Sequence, residues 1–384
     1  MRRVLIIEAQ IKQYRLPFYE RLLSILKADD IELKVGYSDP SKLEASKNDS
    51  CDLPPDYGIK VPAHWLAGER LMVQPLLRPA LTADMVIVDQ ANKFLLNYLL
   101  LPLSRMSLRR VAFWGLGENR QEGRLQVSEW IRRKMLNWVS WWFAYTKGTR
   151  RYLVANGVPA GKITSVDNAV DTRALRAQVQ RVNPVERIQL RRALGISASA
   201  PVGIFCGMLD KVKSVRFLME SAQRIQARVQ DFHLIIVGGG PDRPSVEAAA
   251  RELRWIHMMG PRFGQEKAEL IAISDAFLMP GRVGLVVLDA FAGGLPLLST
   301  RLAIHGPELD YLVEDSNGLL CEPDAAAFAD MTTSLLLDRN RLKRLQAGAL
   351  AASSRYTIEN MAENFRTGIH GCLESAPDAA AVTA

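Results

Sequence analysis

A glycine-bearing segment in the second half of the chain has the residue types of a phosphate site. Residues 279–296 read as a strand end, a loop containing Gly281 and Gly284, and a helix that begins directly after the loop. Glycines let a backbone approach a ligand closely, and exposed N–H groups at a helix start favour an anion. Asp289 follows one or two turns into that helix, where a carboxylate could accept hydrogen bonds from ribose hydroxyls. The segment therefore predicts a nucleotide-phosphate site.

Two other segments repeat the order of buried strand followed by glycine loop. Residues 202–206 form an apolar run, and the following loop starts at Gly207 and carries Lys211 and Lys213 into a predicted helix. Residues 233–237 form another apolar run, followed by Gly238, Gly239 and Gly240. Short apolar runs of this kind indicate parallel strands buried on both faces, and their carboxyl ends meet at the edge of the sheet where ligands bind.

The ordered segments resemble the donor-binding part of the retaining GT-B glycosyltransferases of family 4, the glycosyl transferases group 1. In that family two glutamates separated by seven residues open the helix; here Gly281 stands at the first place and Asp289 at the second. Met208 replaces a phosphate-binding arginine, and Leu116 replaces a histidine. No catalytic histidine is therefore carried over.

The resemblance implies an α/β protein of the GT-B type, with two doubly wound Rossmann-like domains facing across a cleft. It implies transfer of a sugar, with retention, from a UDP- or GDP-sugar to a hydroxyl of a glycan or lipid-linked acceptor. Catalytic roles fall to Lys213 and Asp289, and no metal or cofactor is expected because lysine and backbone N–H groups can stabilise the diphosphate. The donor-binding residues it implies are Gly207, Lys211, Lys213, Gly239, Gly240, Gly281, Arg282, Val283, Gly284, Leu285 and Asp289.

Acceptor-side residues are implied in two loops of the first half. Arg15 follows the predicted first strand, residues 4–7, in a local sequence similar to that of the family. Glu118 and Asn119 lie in the loop that leaves the predicted strand at residues 110–114. For Arg15 the alternative, a solvated loop arginine without a functional role, stays open.

The domain boundary is expected near residue 171. Residues 162–171 resemble the segment that links the two domains in this family, and the charged stretch at 173–200 favours a boundary there. This places an acceptor-binding domain at 1–171 and a donor-binding domain at 172–356. A last helix at about 357–375 is expected to pack back on the first domain.

Composition restricts the class of protein. Of 384 residues, 48% are hydrophobic and 23% are charged, as in an ordinary globular protein. The apolar run at 94–103 is about half the ~20 residues that a membrane-spanning helix needs. Four widely separated cysteines indicate reduced thiols rather than a zinc site or a disulfide framework.

Basic residues are concentrated in one part of the first domain. Residues 105–151 contain eleven lysines and arginines against three glutamates, which accounts for the whole formal net charge of +8. Tryptophans accompany these arginines in a predicted helix at 125–138, a composition typical of contact with an anionic membrane. A solvated basic face over core tryptophans is the alternative. Nucleic-acid binding is disfavoured, because aromatic RNA-binding signatures are absent.

These features predict an enzyme of bacterial surface polysaccharide synthesis in the cytoplasm, peripheral on the inner face of the membrane. Two alternatives stay open. A non-catalytic GT-B binding or scaffold protein is favoured by the replacements at Gly281, Met208 and Leu116. A sugar-nucleotide epimerase shares the fold but lacks a matching acid and histidine here. Glycoside hydrolysis is disfavoured, because Gly281 removes one of the two carboxylates it needs.

Overall fold

The computed structural model describes residues 1–45, 49–117, 133–302 and 305–375. The chain divides into two compact units. The first contains residues 1–171 together with 358–384, and the second contains residues 172–357. We describe each unit by itself.

The first unit is built on a seven-stranded parallel sheet in the order β3-β2-β1-β6-β7-β8-β9, with a separate antiparallel pair β4-β5. Its strands are β1 Arg2–Ile7, β2 Ile31–Tyr37, β3 Gly58–Lys60, β4 His64–Leu66, β5 Leu71–Val73, β6 Met85–Asp89, β7 Arg110–Gly115, β8 Trp141–Ala144 and β9 Ile163–Ser165. Its helices are α1 Leu16–Ala28, α2 Lys42–Ala45, α3 Leu77–Thr82, α4 Leu95–Arg105, α5 Lys147–Ala155 and the last helix of the chain, α14 Ile358–Glu374.

Helix α14 completes the core of the first unit. The ring of Phe365 stacks on Phe143 of β8 at 4.6 Å between centroids, and it lies 4.9 Å from Phe18 of α1. At the end of α1, Asp29 accepts hydrogen bonds from Arg366 and contacts His370. Apolar stacking and these polar contacts together fix the last helix on this unit.

The second unit contains a six-stranded parallel sheet in the order β12-β11-β10-β13-β14-β15. Its strands are β10 Val202–Cys206, β11 His233–Val237, β12 Ile256–Gly260, β13 Ala276–Leu278, β14 Leu297–Thr300 and β15 Gly318–Cys321. Its helices are α6 Arg173–Arg181, α7 Pro184–Ala193, α8 Val215–Arg228, α9 Arg243–Glu252, α10 Gly264–Ala272, α11 Val286–Ala292, α12 Ala325–Leu337 and α13 Arg339–Ser353.

Both sheets have a point at which the strand order reverses. In the first unit it lies between β1 and β6, and in the second between β10 and β13. In open parallel sheets the crevice outside the carboxyl ends at such a switch point is the usual ligand site. The loops that leave these four strands are therefore the ones to inspect for function.

Most of the helix predicted at 125–138 cannot be compared with the structure. It falls mostly on residues 118–132, which lie outside the described residues. Of the helices that the structure describes, none is long and apolar enough to cross a bilayer.

Candidate functional site

Two loops meet at the switch point of the second unit, the loop after β10 (residues 207–214) and the loop after β13 (residues 279–285). They pack backbone against backbone. A Cβ on Gly281 would overlap the backbone of Lys213, with the Cα of Lys213 only 2.6 Å away. The amide of Arg282 donates to the carbonyl of Val212 at 3.0 Å. Glycine at 281 is therefore a requirement of this loop packing, and a glutamate cannot occupy the place in this conformation.

The next strand holds the same loop from its other side. The hydroxyl of Ser299 donates to the carbonyl of Met279, and that of Thr300 donates to the carbonyl of Pro280. Both hydroxyl groups are buried at the end of β14. The loop after β13 is thus fixed by polar contacts from β14 and by the loop after β10.

Lys213 ties the two loops together through its side chain. Its ammonium Nζ donates to the carbonyl oxygen of Arg282 at 2.6 Å, and its amide donates to Asp210. Burial lowers the pKa of Lys213, and the nearby Arg282 guanidinium acts in the same direction. Lys211 and Met208 are exposed on the same loop. Both lysines precede α8, so neither belongs to the helix.

The amides of the loop after β13 fall into two groups. Those of Arg282 and Val283 are used inside the protein, because Val283 donates to Nδ1 of His305 at 3.0 Å. Nδ1 therefore carries no proton, and Nε2 of His305 donates to the carbonyl of Thr300 at 2.7 Å. In the described chain the amides of Gly284 and Leu285 form no hydrogen bond. Of the predicted donor-binding residues 281–284, Arg282 and Val283 therefore have occupied amides, and in the described chain the amide of Gly281 also forms no hydrogen bond.

The glycines after β11 serve loop packing as well. Gly238 and Gly240 have φ angles of 146° and 149°, which disfavour other residues. A Cβ on Gly238 would overlap the carbonyl oxygen of Gly207, and one on Gly240 would lie 2.8 Å from the amide nitrogen of Leu209. Gly239 accepts a hydrogen bond from Leu209. These glycines hold the loop after β10 in place.

Asp289 lies in the first turn of α11 and has a charged partner that the sequence analysis missed. Its Oδ2 is 3.1 Å from Nζ of Lys267 on α10, and each side chain is about a fifth exposed. No local signal identifies Lys267, because the two residues are 22 positions apart on different helices. Cys206 at the end of β10 is close enough for both charges to affect its thiol, whose pKa is raised to about 11, first by burial.

At the switch point of the first unit the structure places Arg15, and with it two carboxyl groups that were not predicted. Arg15 is buried, donates to Oδ1 of Asn168 at 2.8 Å and lies over the ring of Trp114. Arg15 is therefore not solvated, while its acceptor-side role stays a prediction. Glu8 follows β1 and Asp89 ends β6. Polar residues directly after buried strands were the available signal for both.

Burial perturbs the ionisation of these carboxyl groups. The pKa of Glu8 is raised to about 7, first by burial, while Arg15 opposes the shift. The Tyr19 hydroxyl donates to Oε1 of Glu8 at 2.7 Å. Burial also raises the pKa of Asp89. Near neutral pH the Glu8 carboxyl is therefore present in both its protonated and its ionised form. The other two predicted acceptor-side residues, Glu118 and Asn119, lie outside the described residues.

The fold has close counterparts among solved structures. The Anabaena protein HepE, solved in complex with UDP, aligns with a TM-score of 0.66 at 16% identity, covering 96% of this chain and 100% of that chain. The chain has the GT-B fold, with two Rossmann-like domains, as predicted. Similarity at this level of identity defines the fold alone.

Sequence comparisons indicate which class of proteins the chain resembles. Residues 200–338 match the family model described as Glycosyl transferases group 1. A D-inositol 3-phosphate glycosyltransferase of Corynebacterium urealyticum is 30% identical over 226 residues, 53% of each chain. An N-acetyl-alpha-D-glucosaminyl L-malate synthase of Bacillus anthracis is 29% identical over 187 residues, 47% of this chain and 46% of that protein.

The chain thus spans about half the length of the curated relatives it matches. The predicted resemblance to glycosyl transferases group 1 is confirmed by the match at residues 200–338. Assignment to family 4 and retention of configuration stay predictions.

The packing at Gly281 predicts that restoring the family's glutamate damages the site. Gly281→Ala should lower the free energy of unfolding of the second unit by about 1–3 kcal/mol, because the added Cβ displaces the Lys213 backbone. Gly281→Glu should cost at least as much. Chemical denaturation of both variants measures the effect.

Gly284→Ala is the matched control, since a Cβ there meets nothing within 4 Å. It should unfold within about 0.5 kcal/mol of the unchanged protein. Wild-type stability in Gly281→Ala would show that the two loops do not pack as described.

The raised pKa of Glu8, about 7 against the ordinary 4.5, predicts a pH-dependent loss of stability. As pH rises from about 4.5 to 7, the unfolded chain releases this proton first, so the free energy of unfolding falls. Glu8→Gln keeps an acceptor for Tyr19 and removes the titration. Relative to the unchanged protein, the variant should therefore gain about 1–3 kcal/mol between pH 4 and pH 8. Parallel denaturation profiles of the two proteins across this range would contradict the shifted pKa.

Proposed function

We propose that the protein is a glycosyltransferase that moves a sugar from a nucleoside-diphosphate sugar, UDP- or GDP-linked, to a hydroxyl group of a glycan or lipid-linked acceptor. The observation that carries the proposal is the match of residues 200–338 to glycosyl transferases group 1. This segment includes both loops at the switch point of the second unit. The two sequence relatives, a D-inositol 3-phosphate glycosyltransferase and an N-acetyl-alpha-D-glucosaminyl L-malate synthase, support the same reaction class.

The loops of the second unit supply groups suited to the donor. A diphosphate can accept hydrogen bonds from the amides of Gly284 and Leu285. Positive charge for it comes from the ammonium of Lys213 and from the exposed Lys211. Asp289 supplies a carboxylate for hydroxyl groups of the ribose or the sugar. Gly281, Gly238 and Gly240 act indirectly, by allowing the loops to approach.

In the proposed reaction the bond between the anomeric carbon and the diphosphate oxygen breaks, and its electron pair stays on the diphosphate. The acceptor oxygen forms the new bond to the anomeric carbon, and its proton passes to the leaving diphosphate. Preorganised positive groups stabilise the leaving diphosphate most effectively when they need no rearrangement, and the loop contacts of Lys213 meet that condition. We propose no metal ion for this step, and retention of configuration belongs to the proposal.

The acceptor is assigned to the first unit. Its switch point presents Glu8, Asp89 and the buried Arg15, groups able to bind sugar hydroxyls. Gln90, next to Asp89, holds the backbone of Gly117 in the neighbouring loop by two hydrogen bonds. A role in bacterial surface polysaccharide synthesis, in the cytoplasm at the inner face of the membrane, is the setting that we propose for this acceptor.

Contact with an anionic membrane through the basic region at 105–151 is part of the same proposal. Arg105 and Arg109 are exposed, and in the described chain neither of them forms a salt bridge. Exposed Met106 and Leu108 lie between them. Sedimentation with vesicles containing phosphatidylglycerol, compared with neutral vesicles, tests this contact, and equal binding to both would contradict it.

The donor assignment predicts selective nucleotide binding. In calorimetric titrations with UDP, GDP, ADP and TDP, one nucleoside diphosphate should bind well above the rest. Lys213→Ala should weaken it at least tenfold, because both a charge and the link to Arg282 are lost. The same purified protein should release that nucleotide from its sugar conjugate when the acceptor is present.

Lys343→Ala serves as the control, an exposed lysine of α13 in the same unit. It should bind the nucleotide as tightly as the unchanged protein. Absence of binding to all four nucleotides would contradict the enzyme assignment and leave the scaffold protein as the better reading of the fold.

A further inference from the structure

The ion pair between Lys267 and Asp289 joins two helices beside the candidate donor site. Lys267 lies on α10 and Asp289 in the first turn of α11, and the two groups are 3.1 Å apart. Each side chain is 21% exposed, so the pair is largely withdrawn from water but still reachable. Exposed surface pairs are mobile, whereas a pair this shielded holds its geometry more firmly.

The contact uses one carboxylate oxygen and leaves the other. Lys267 donates to Oδ2 of Asp289, and in the described chain Oδ1 accepts no hydrogen bond. Among the described residues, Oδ1 is also not one of the side-chain atoms that are shielded from solvent and lack a hydrogen-bond partner. It therefore keeps contact with solvent. An ionised carboxylate oxygen that keeps contact with solvent can accept a hydrogen bond from a ligand.

The surroundings favour the charged form of Lys267. Burial is the largest single influence and lowers its pKa, but the Asp289 carboxylate and the Cys206 thiol together raise the pKa overall. Lys213 is not a competing partner for Asp289, because its ammonium donates to the Arg282 carbonyl. Lys267 is thus the cation that fixes the orientation of Asp289.

We propose that Lys267 is a positioning residue for donor recognition: it holds Oδ2 of Asp289 so that Oδ1 accepts a hydrogen bond from one ribose hydroxyl of the nucleotide. The inference rests on the proposed function, which assigns Asp289 to hydroxyl groups of the ribose or the sugar, and adds to it the residue that orients Asp289. Aspartate is one methylene shorter than the glutamate that the family resemblance expects, so the lysine defines where the shorter carboxylate can reach. The site then selects ribonucleotides over analogues that lack the contacted hydroxyl.

A purely structural ion pair between α10 and α11 would predict a different result. Its loss would lower stability without changing which nucleotide the protein prefers. Discrimination between ribose and deoxyribose is therefore the informative measurement, because it reports on Oδ1 rather than on the helices.

The experiment titrates the full chain by calorimetry with UDP, GDP and ADP and with their 2′-deoxy and 3′-deoxy counterparts. The unchanged protein should bind its preferred ribonucleotide about ten- to a hundredfold more tightly than the counterpart lacking the contacted hydroxyl. Lys267→Met should reduce this ratio to within about threefold of one, and Lys267→Arg, which keeps the charge, should restore most of it.

Arg228→Met is the matched control, since it removes another ion pair between helices of the same unit, Arg228 of α8 with Asp330 of α12. It should keep the wild-type ratio. Thermal unfolding of each variant establishes that it is folded. If Lys267→Met does not fold, the test is made with Lys267→Arg.

The outcomes separate the two proposals. A wild-type ratio in Lys267→Met, or no discrimination in the unchanged protein despite nucleotide binding, overturns the role of Lys267 and leaves the proposed function standing. A Lys267→Arg protein that fails to discriminate while folded also overturns it. If the unchanged protein binds none of the three nucleotides, the proposed function fails and this inference fails with it.

Discussion

The close approach of two backbones at Gly281 is the contact on which the rest of the geometry of the candidate donor site depends. Because residue 281 has no Cβ, the loop after β13 lies against the backbone of Lys213. This contact brings the Arg282 amide to Val212 and the Lys213 ammonium to the Arg282 carbonyl. The amides of Gly284 and Leu285, which form no hydrogen bond in the described chain, remain for a ligand.

The two units use the same topology with different chemistry. Each sheet reverses its strand order at one point, and polar groups lie in the loops that leave the strands there. At β10 and β13 these groups are mainly lysines and backbone amides, which suit a diphosphate. At β1 and β6 they are Glu8 and Asp89 with Arg15 beside them, which suit neutral hydroxyl groups. This difference is the reason for proposing that the second unit binds the donor and the first unit binds the acceptor.

The sequence predicted the strands well because buried parallel strands are continuous apolar runs. The strands predicted at 202–206 and 233–237 have the same bounds in the structure, and the α/β fold is confirmed by its likeness to a solved GT-B protein. The charged stretch at 173–200, by contrast, forms α6 and α7 and belongs to the second unit. Helical content there was not visible from its charge alone.

The site was less predictable, since its details depend on contacts between residues far apart in the chain. Glycine motifs indicated the two loops at the switch point of the second unit, but most of these glycines allow loop packing, and the amides of Arg282 and Val283 are occupied by Val212 and His305. Lys267 could not be found from local pattern, because its partner lies on another helix. The predicted roles of the site residues themselves stay predictions.

Hydrogen exchange at single-amide resolution in the loop after β13 tests the account most directly. Without ligand, the amides of Arg282 and Val283 should be strongly protected by Val212 and His305, while those of Gly284 and Leu285 exchange rapidly. Addition of the preferred nucleoside diphosphate should then protect Gly284 and Leu285. Rapid exchange at 282 and 283 in the free protein, or no nucleotide-dependent protection at 284 and 285, would contradict the account.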